Sequence, residues 1–188
     1  MLRNGHVRFG GRPAETHQFK DWQGAAGRPY TEHRTSEGKL YCCAIKDVHS
    51  NRIVGYSISD RMTAKLAVDA VRNAVTRRGD VAGCILHADR GSQFRARPYV
   101  TALHRAGLVG SMGRVASSAD NAAMESFFAL LQKNVLNSRR WSSRAELRLA
   151  IVTWIERTYH RRRRQDALGR LTPIEYETIT PALAAQAA

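Results

Sequence analysis

Acidic residues are scarce in this chain. Its 188 residues carry 16 Asp and Glu against 30 Lys and Arg, a formal net charge of +14 and a pI near 10.7. That imbalance favours a polyanionic partner, with nucleic acid first among them. Cysteine is scarcer still. Cys42, Cys43 and Cys84 form no C-x-x-C pair, which excludes a disulfide or zinc framework and leaves them as small core residues of a reducing compartment. Cys42 and Cys43 are adjacent and should point to opposite faces of a strand. The seven histidines are scattered without a zinc-ligand spacing. No apolar run reaches membrane-spanning length, and the N-terminus has no signal-peptide apolar segment. The expectation is a cytoplasmic protein without a membrane partner. The 43% hydrophobic content excludes a disordered chain.

Three stretches differ in texture. Residues 1–29 hold five glycines without periodicity, which predicts a poorly ordered, divergent segment. Residues 30–178 carry all the periodic sequence, and 179–188 read as a flexible tail. Within the middle stretch, "LYCCAIK" (40–46) and "NRIVGYSIS" (51–59) are strand-like runs joined by short turns, an antiparallel meander. "TAKLAVDAVRNAVTRRG" (63–79) repeats apolar residues at helical spacing and stops at Gly79. "VAGCILH" (81–87), "RARPYVTALHRAG" (95–107) and "LVGSM" (108–112) give strand, helix, strand, which implies parallel pairing. The fold class is therefore α/β.

Chemistry concentrates in three places. In "LHADRGSQF" (86–94), Asp89 stands at the carboxyl end of a strand. It is either a turn residue or a site residue of the kind that α/β sheets place there. In "NAAMESFFALLQKNVL" (121–136), a helix that Asp120 could cap, Met124, Phe128, Leu131 and Val135 form the core stripe. Glu125 sits at the edge of that stripe, as a surface residue or facing a cleft. "SSRAELRLAIVTWIERTYHRRRR" (142–164) opens with a Ser cap and a capping-box Glu and ends in Arg161, Arg162, Arg163 and Arg164. Those four are either a solvated basic helix end or DNA-binding residues that contact phosphate.

Taken in order, "EGKLYCCAIKDVHSNRIVGYSI", "HADRGSQF", "DNAAMESFFALLQKNVL" and "ERTYHRRRRQDALGRLTPIEYE" resemble the catalytic half of OrfB-type transposases of bacterial insertion sequences. That group shares the integrase catalytic core of the retroviral-integrase-like DDE superfamily. Asp89 and Glu125 have 35 residues between them, the interval that separates the last two acids of the family's Asp-Asp-Glu triad. The resemblance implies a ribonuclease-H-like mixed five-stranded sheet flanked by helices. It also implies Asp89 and Glu125 as catalytic, metal-binding residues that hold Mg²⁺ or Mn²⁺ in a two-metal site for DNA cleavage and strand transfer. Its expected partners are transposon-end and target DNA, a helix-turn-helix chain that supplies end recognition, and further copies of the same chain.

The first acid departs from the family pattern. Aligning Thr31 with the Thr of the family's Trp-x-x-Asp-x-Thr strand puts Pro29 in the place of the Asp and Ala26 in the place of the Trp. Proline ligates no metal and removes a backbone donor from a central strand. The first strand is thus altered, as an out-of-frame 5′ end would produce. Asp21, Glu32 and Asp47 are the nearest acids, and Asp47 matches a family Asp at a strand end that is either structural or supports the metal ligands from behind. Two alternatives stay open: a DNA-binding remnant without catalysis, and a ribonuclease-H-type nuclease.

Overall fold

The computed structural model describes residues 23–24, 30–89, 91–111 and 118–186. The strands are β1 (Gln23–Gly24), β2 (Tyr30–Thr35), β3 (Gly38–Lys46), β4 (Ile53–Ser59), β5 (Ile85–His87) and β6 (Val109–Ser111). The α-helices are α1 (Ala64–Arg78), α2 (Ser92–Arg95), α3 (Arg97–Arg105), α4 (Ser118–Leu131), α5 (Arg144–Thr153) and α6 (Pro173–Gln186). Among the described residues, no helix is long and apolar enough to cross a membrane.

Strand pairing falls into two three-stranded sets. β2, β3 and β4 form the antiparallel meander, with Tyr30 opposite Cys43 and Cys42 opposite Ile58. β1, β5 and β6 pair in parallel, with Gln23 opposite Ile85 and Leu86 opposite Gly110. The parallel pairing of β5 and β6 follows from the helical crossover between them, as the sequence implies. The N-terminal chain contributes a segment to each set. Gln23–Gly24 lies inside the stretch expected to lack order, yet it joins the parallel set. Pro29 and Ala26, which bear on the altered first strand, lie outside the described residues, as does Asp21.

Alternation along β3 divides the core. Leu40, Cys42 and Ala44 pack with Met124, Phe127, Leu131, Leu147 and Ile155 on one side. Cys43 and Ile45 pack with α1, β5 and α3 residues on the other. Both thiols are free and buried, and burial pushes the Cys42 thiol up to about 12. α1 lies close on β4 because its inner face is small: Ala67, Ala70 and Ala74 are buried. At the contact, a Cβ on Gly55 would sit 2.3 Å from the carbonyl oxygen of Ala70 and 2.8 Å from the nitrogen of Ala74. α1 stops at Gly79 (φ 72°), whose N–H donates to the carbonyl of Val75 at 2.8 Å.

Several boundaries differ from the sequence expectation. The run 95–107 forms two helices, α2 and α3, broken at Ala96 in extended conformation. Pro98 explains the break, since it cannot donate to the carbonyl of Phe94 and its ring would clash there. The strand expected over 81–87 is shortened to Ile85–His87, because Gly83 takes φ 81° and the Cys84 N–H closes a turn onto Val81 at 3.0 Å. α4 begins at Ser118, so Asp120 lies within the helix and not at its cap. Phe127 (0% exposed), not Phe128, carries the apolar stripe of α4. α6 runs through most of the segment read as a tail, because the alanines after Pro181 favour helix.

Replacing Gly55 with Ala forces α1 off β4 and costs about 1–3 kcal/mol, the usual range for overpacking. The thermal midpoint should fall by roughly 2–4 °C per kcal/mol. An unchanged midpoint by circular dichroism would show that the helix can shift freely.

Candidate active site

Asp89 follows β5 and is half-buried. Its Oδ1 accepts the N–H of Gly91 at 2.8 Å, an Asx turn that fixes the carboxylate at the strand end. A Cβ on Gly91 would lie 2.8 Å from that Oδ1 and 2.6 Å from Gln93 Nε2, so a larger residue there would push one of these side chains aside. Burial pushes up the Cys43 thiol and the Tyr99 phenol, and the Asp89 charge adds to both shifts. Asp89 therefore lies within electrostatic reach of the middle of β3. Glu125 is exposed on α4, one residue past the fully buried Met124 (0% exposed).

Lys46 ties α4 to β3, and sequence reasoning passed over it. It ends β3 with 5% exposure and donates from Nζ to the carbonyl of Ala123 at 3.2 Å. Burial lowers its ammonium to about 8. A charge closing an otherwise apolar run, "YCCAIK", was the available signal. Lys46 anchors the first half of α4, and with it the backbone that carries Glu125, to the carboxyl end of β3.

Asp47, at the turn after β3, is held by its immediate neighbours. Its Oδ1 accepts from the N–H groups of His49 at 2.8 Å and Ser50 at 3.4 Å, and its Oδ2 pairs with Arg78 at 2.7 Å. Burial raises its pKa against the lowering by Arg78. Arg78 also pairs with Glu177 on α6, which takes Arg52 at 2.5 Å and the Ser50 hydroxyl at 2.7 Å. With its oxygens committed in this way, Asp47 does not replace the missing acid. Among the described residues, no group of three or more His, Cys, Asp or Glu is arranged to hold a metal.

The arginine run lies beyond the end of the helical stretch, not within it. α5 opens on Ser143, whose Oγ accepts the Glu146 N–H at 3.1 Å. The Glu146 carboxylate turns to the Ser142 N–H at 3.2 Å and its hydroxyl at 2.7 Å. α5 passes into a π-helical turn, Trp154–Tyr159, that ends at His160. His160 is fully buried (0% exposed). Its Nε2 accepts the Ile53 N–H at 3.1 Å and its Nδ1 lies 3.3 Å from Glu156 Oε2. Nε2 thus bears no hydrogen, so Nδ1–H donates to Glu156 and the ring is neutral. Glu156 also accepts from Tyr56 Oη at 2.9 Å and Arg77 at 2.7 Å. Its bond to His160, followed by those to Arg77 and Tyr56, outweighs burial and holds it well below the usual carboxylate range. Arg161 to Arg164 are exposed past this anchor. Arg164 donates to the Arg170 carbonyl at 3.1 Å and faces Glu175 at 3.5 Å. The guanidinium groups of Arg161, Arg162 and Arg163 have no hydrogen-bond or ion-pair partner among the described residues.

A family model of the integrase core domain matches residues 17–118, and a second model of the same description matches 107–173. The chain belongs to the integrase core domain family. The first match starts at residue 17, so family likeness extends into the segment set apart as divergent (1–29). The integrase core is 39% identical over 144 residues to the transposase InsF for insertion sequence IS3A of Escherichia coli K12, covering 77% of this chain and 50% of that protein. It is 39% identical over 142 residues to the insertion element IS600 31 kDa protein of Shigella sonnei, covering 76% and 52%. The chain spans about half the length of the curated relatives it matches. Among solved structures, the HTLV-2 integrase catalytic core domain in complex with magnesium aligns with a TM-score of 0.60 at 16% identity, over 85% of this chain and 97% of that one. The BIV integrase catalytic core domain aligns at 0.57 and 16% identity, over 87% and 97%. These likenesses establish the retroviral-integrase-like, ribonuclease-H-like fold, with strands here paired as two three-stranded sets and not as the single five-stranded sheet expected.

His160 gives the integrase core a pH dependence with a definite sign. Burial lowers its pKa against the raising effect of Glu156. Its stabilising effect is therefore complete above its unfolded value, about 6.5, and is lost as pH falls below it. Glu156, also depressed, extends the loss to lower pH; Asp47, raised, acts in the opposite direction. The thermal midpoint should drop between pH 7 and pH 5. In His160→Gln it should start lower at pH 7 and vary less over that interval.

Proposed function

We propose that this chain is the catalytic part of a DNA transposase, built to cleave and join transposon-end and target DNA. The observation that carries the reading is the integrase core match, within which Asp89 closes β5 and Glu125 stands exposed on α4, at the family's interval. Phosphoryl transfer needs charge neutralised around the reacting phosphate, and paired carboxylates holding divalent ions do this. Asp89 and Glu125 are the residues that would hold Mg²⁺ or Mn²⁺. Among the described residues, Asp89 has Oδ2 left over from its bond to Gly91, and Glu125 has no protein partner. A bound ion would supply Lewis-acid stabilisation of the phosphate. Two carboxylates are fewer than the family's three, and Pro29 offers no oxygen on its side chain. The donor set therefore supports weak metal binding and little or no cleavage by the chain as it stands.

This departure at Pro29 favours a second reading, a non-catalytic DNA-binding remnant that keeps the fold and the arginines. Both readings take DNA as partner, in keeping with the net charge of +14. End recognition would come from a helix-turn-helix partner chain, and activity from an oligomer of the same chain in the cytoplasm.

Calorimetric titration with Mn²⁺ separates the readings. The unmodified chain should bind weakly, and Asp89→Asn or Glu125→Gln should abolish the heat. Pro29→Asp should tighten binding and bring Mg²⁺- or Mn²⁺-dependent nicking of transposon-end DNA that Asp89→Asn removes. Equal Mn²⁺ affinity in all variants would refute the site. For DNA binding, the log–log salt slope should flatten by up to about 2.7 when Arg161, Arg162 and Arg163 become Ala, about 0.9 for each phosphate that is no longer neutralised. Adding Arg164→Ala should change it little.

A further inference from the structure

A second group of unpaired cations stands at the opposite end of β3 from the Arg161–Arg164 turn. A groove of about 620 Å³ lies between the end of β2 and the segment joining α4 to α5, with His33, Arg34, Asn137, Arg139 and Arg140 in its lining. Arg34 and Arg140 are exposed and have no partner among the described residues. Arg139 lies over the Trp141 ring, 4.4 Å from guanidinium carbon to centroid, and pairs with Glu146 at 2.7 Å. These contacts fix its direction. Glu37, the acid of the adjoining turn, is occupied by the Arg144 N–H at 2.9 Å.

The two walls of the groove, far apart in sequence, are hydrogen-bonded to one another. The Ser36 N–H donates to the Trp141 carbonyl at 3.0 Å, and Arg144 Nε donates to the Lys39 carbonyl at 3.1 Å. Gly38 makes the second bond possible. It takes φ 115°, and a Cβ there would lie 2.7 Å from Arg144 Nη2. The Arg139 guanidinium, already directed by its contacts, loses little entropy on meeting a phosphate oxygen, and the uncommitted charges of Arg34 and Arg140 beside it add attraction. A protein partner would need exposed apolar anchors as well. The apolar residues of this lining, Leu136 at 0% and Trp141 at 4% exposure, are withdrawn into the core.

We propose that this groove is a second contact for the phosphate backbone of duplex DNA, separate from Arg161–Arg164. The inference rests on the DNA-binding part of the reading above and on none of its catalytic part. β3 separates the two contacts. Its nine residues span about 26 Å at ~3.3 Å per step, which corresponds to roughly eight base pairs of duplex.

The test is fluorescence anisotropy with a fluorescein-labelled duplex of arbitrary sequence, about 30 base pairs long, in EDTA between about 50 and 200 mM salt. Arg34→Ala with Arg140→Ala should lower the log–log slope by up to about 1.8, in addition to the loss from Arg161, Arg162 and Arg163. Arg34→Lys with Arg140→Lys should retain the slope. A double Ala variant with the slope of the unmodified chain would overturn the groove and leave the Arg161–Arg164 contact standing. So would a loss that Lys fails to restore, since charge would then not be its cause. If the unmodified chain does not bind the duplex, the DNA-binding reading and the groove fall together.

Discussion

β3 presents nothing to solvent along most of its length, and a strand placed in that way can alternate only between two interiors. Leu40, Cys42 and Ala44 fill one, and Cys43 and Ile45 fill the other. The buried residues of the helices that build the core pack on one of these faces or the other. α1, β5 and α3 belong to the Cys43 side, while α4, α5 and the π turn that ends at His160 belong to the Ala44 side. The candidate carboxylates are thereby attached to opposite faces of one strand, Asp89 through β5 and Glu125 through α4. α4 is tied to the end of that strand, where Lys46 holds the Ala123 carbonyl. Lys46 is small in number of bonds and large in leverage, because α4 has no other charged tie to β3 among the described residues.

Beyond Lys46 the packing changes from apolar to ionic. Asp47, Arg78, Glu177 and Arg52 join the β3–β4 turn, the end of α1 and α6 in one chain of contacts. Such buried networks add little over a well-packed apolar alternative, but removing one partner leaves the others charged and unsolvated, at about 3–5 kcal/mol. The value of the network here is directional: guanidinium forks accept carboxylates in few orientations. Glu177 shows the balance. Burial pushes its pKa up, and Arg78, with the bonds from Ser50 and Arg52, brings it below the ordinary value.

How much of the structure is legible in the sequence depends on the range of the interaction. The meander, α1 with its Gly79 stop, and the opposite faces of Cys42 and Cys43 are local or period-two features, and they are legible. The break at Ala96 is legible in principle, since the donor that Pro98 lacks is a local property of the run 95–107. The shortened β5 turns on Gly83 at positive φ, which composition does not reveal. The site divides the same way. Asp89 is visible from its place after an apolar run, and its Asx turn onto Gly91 is implicit in "ADRGS". Glu125 needs the family interval, because an exposed acid on a helix carries no signal of its own. Lys46 could be noticed as a charge ending an apolar run, but the distant partners of Lys46, His160 and Glu177 are illegible, because each lies more than about 75 positions away. The groove at Arg34 and Arg140 escapes for the same reason.

Glu177 also has a meaning for the order in which the chain is made. It belongs to α6, and it neutralises Arg52 and Arg78, which are translated far earlier. While a ribosome is still adding α6, the β3–β4 turn and the end of α1 hold two guanidinium groups with Asp47 as the only carboxylate of the network. Closing the core at that stage would bury an uncompensated positive charge. A late-made carboxylate thus completes the charge balance of an early hairpin and ties it to the last helix.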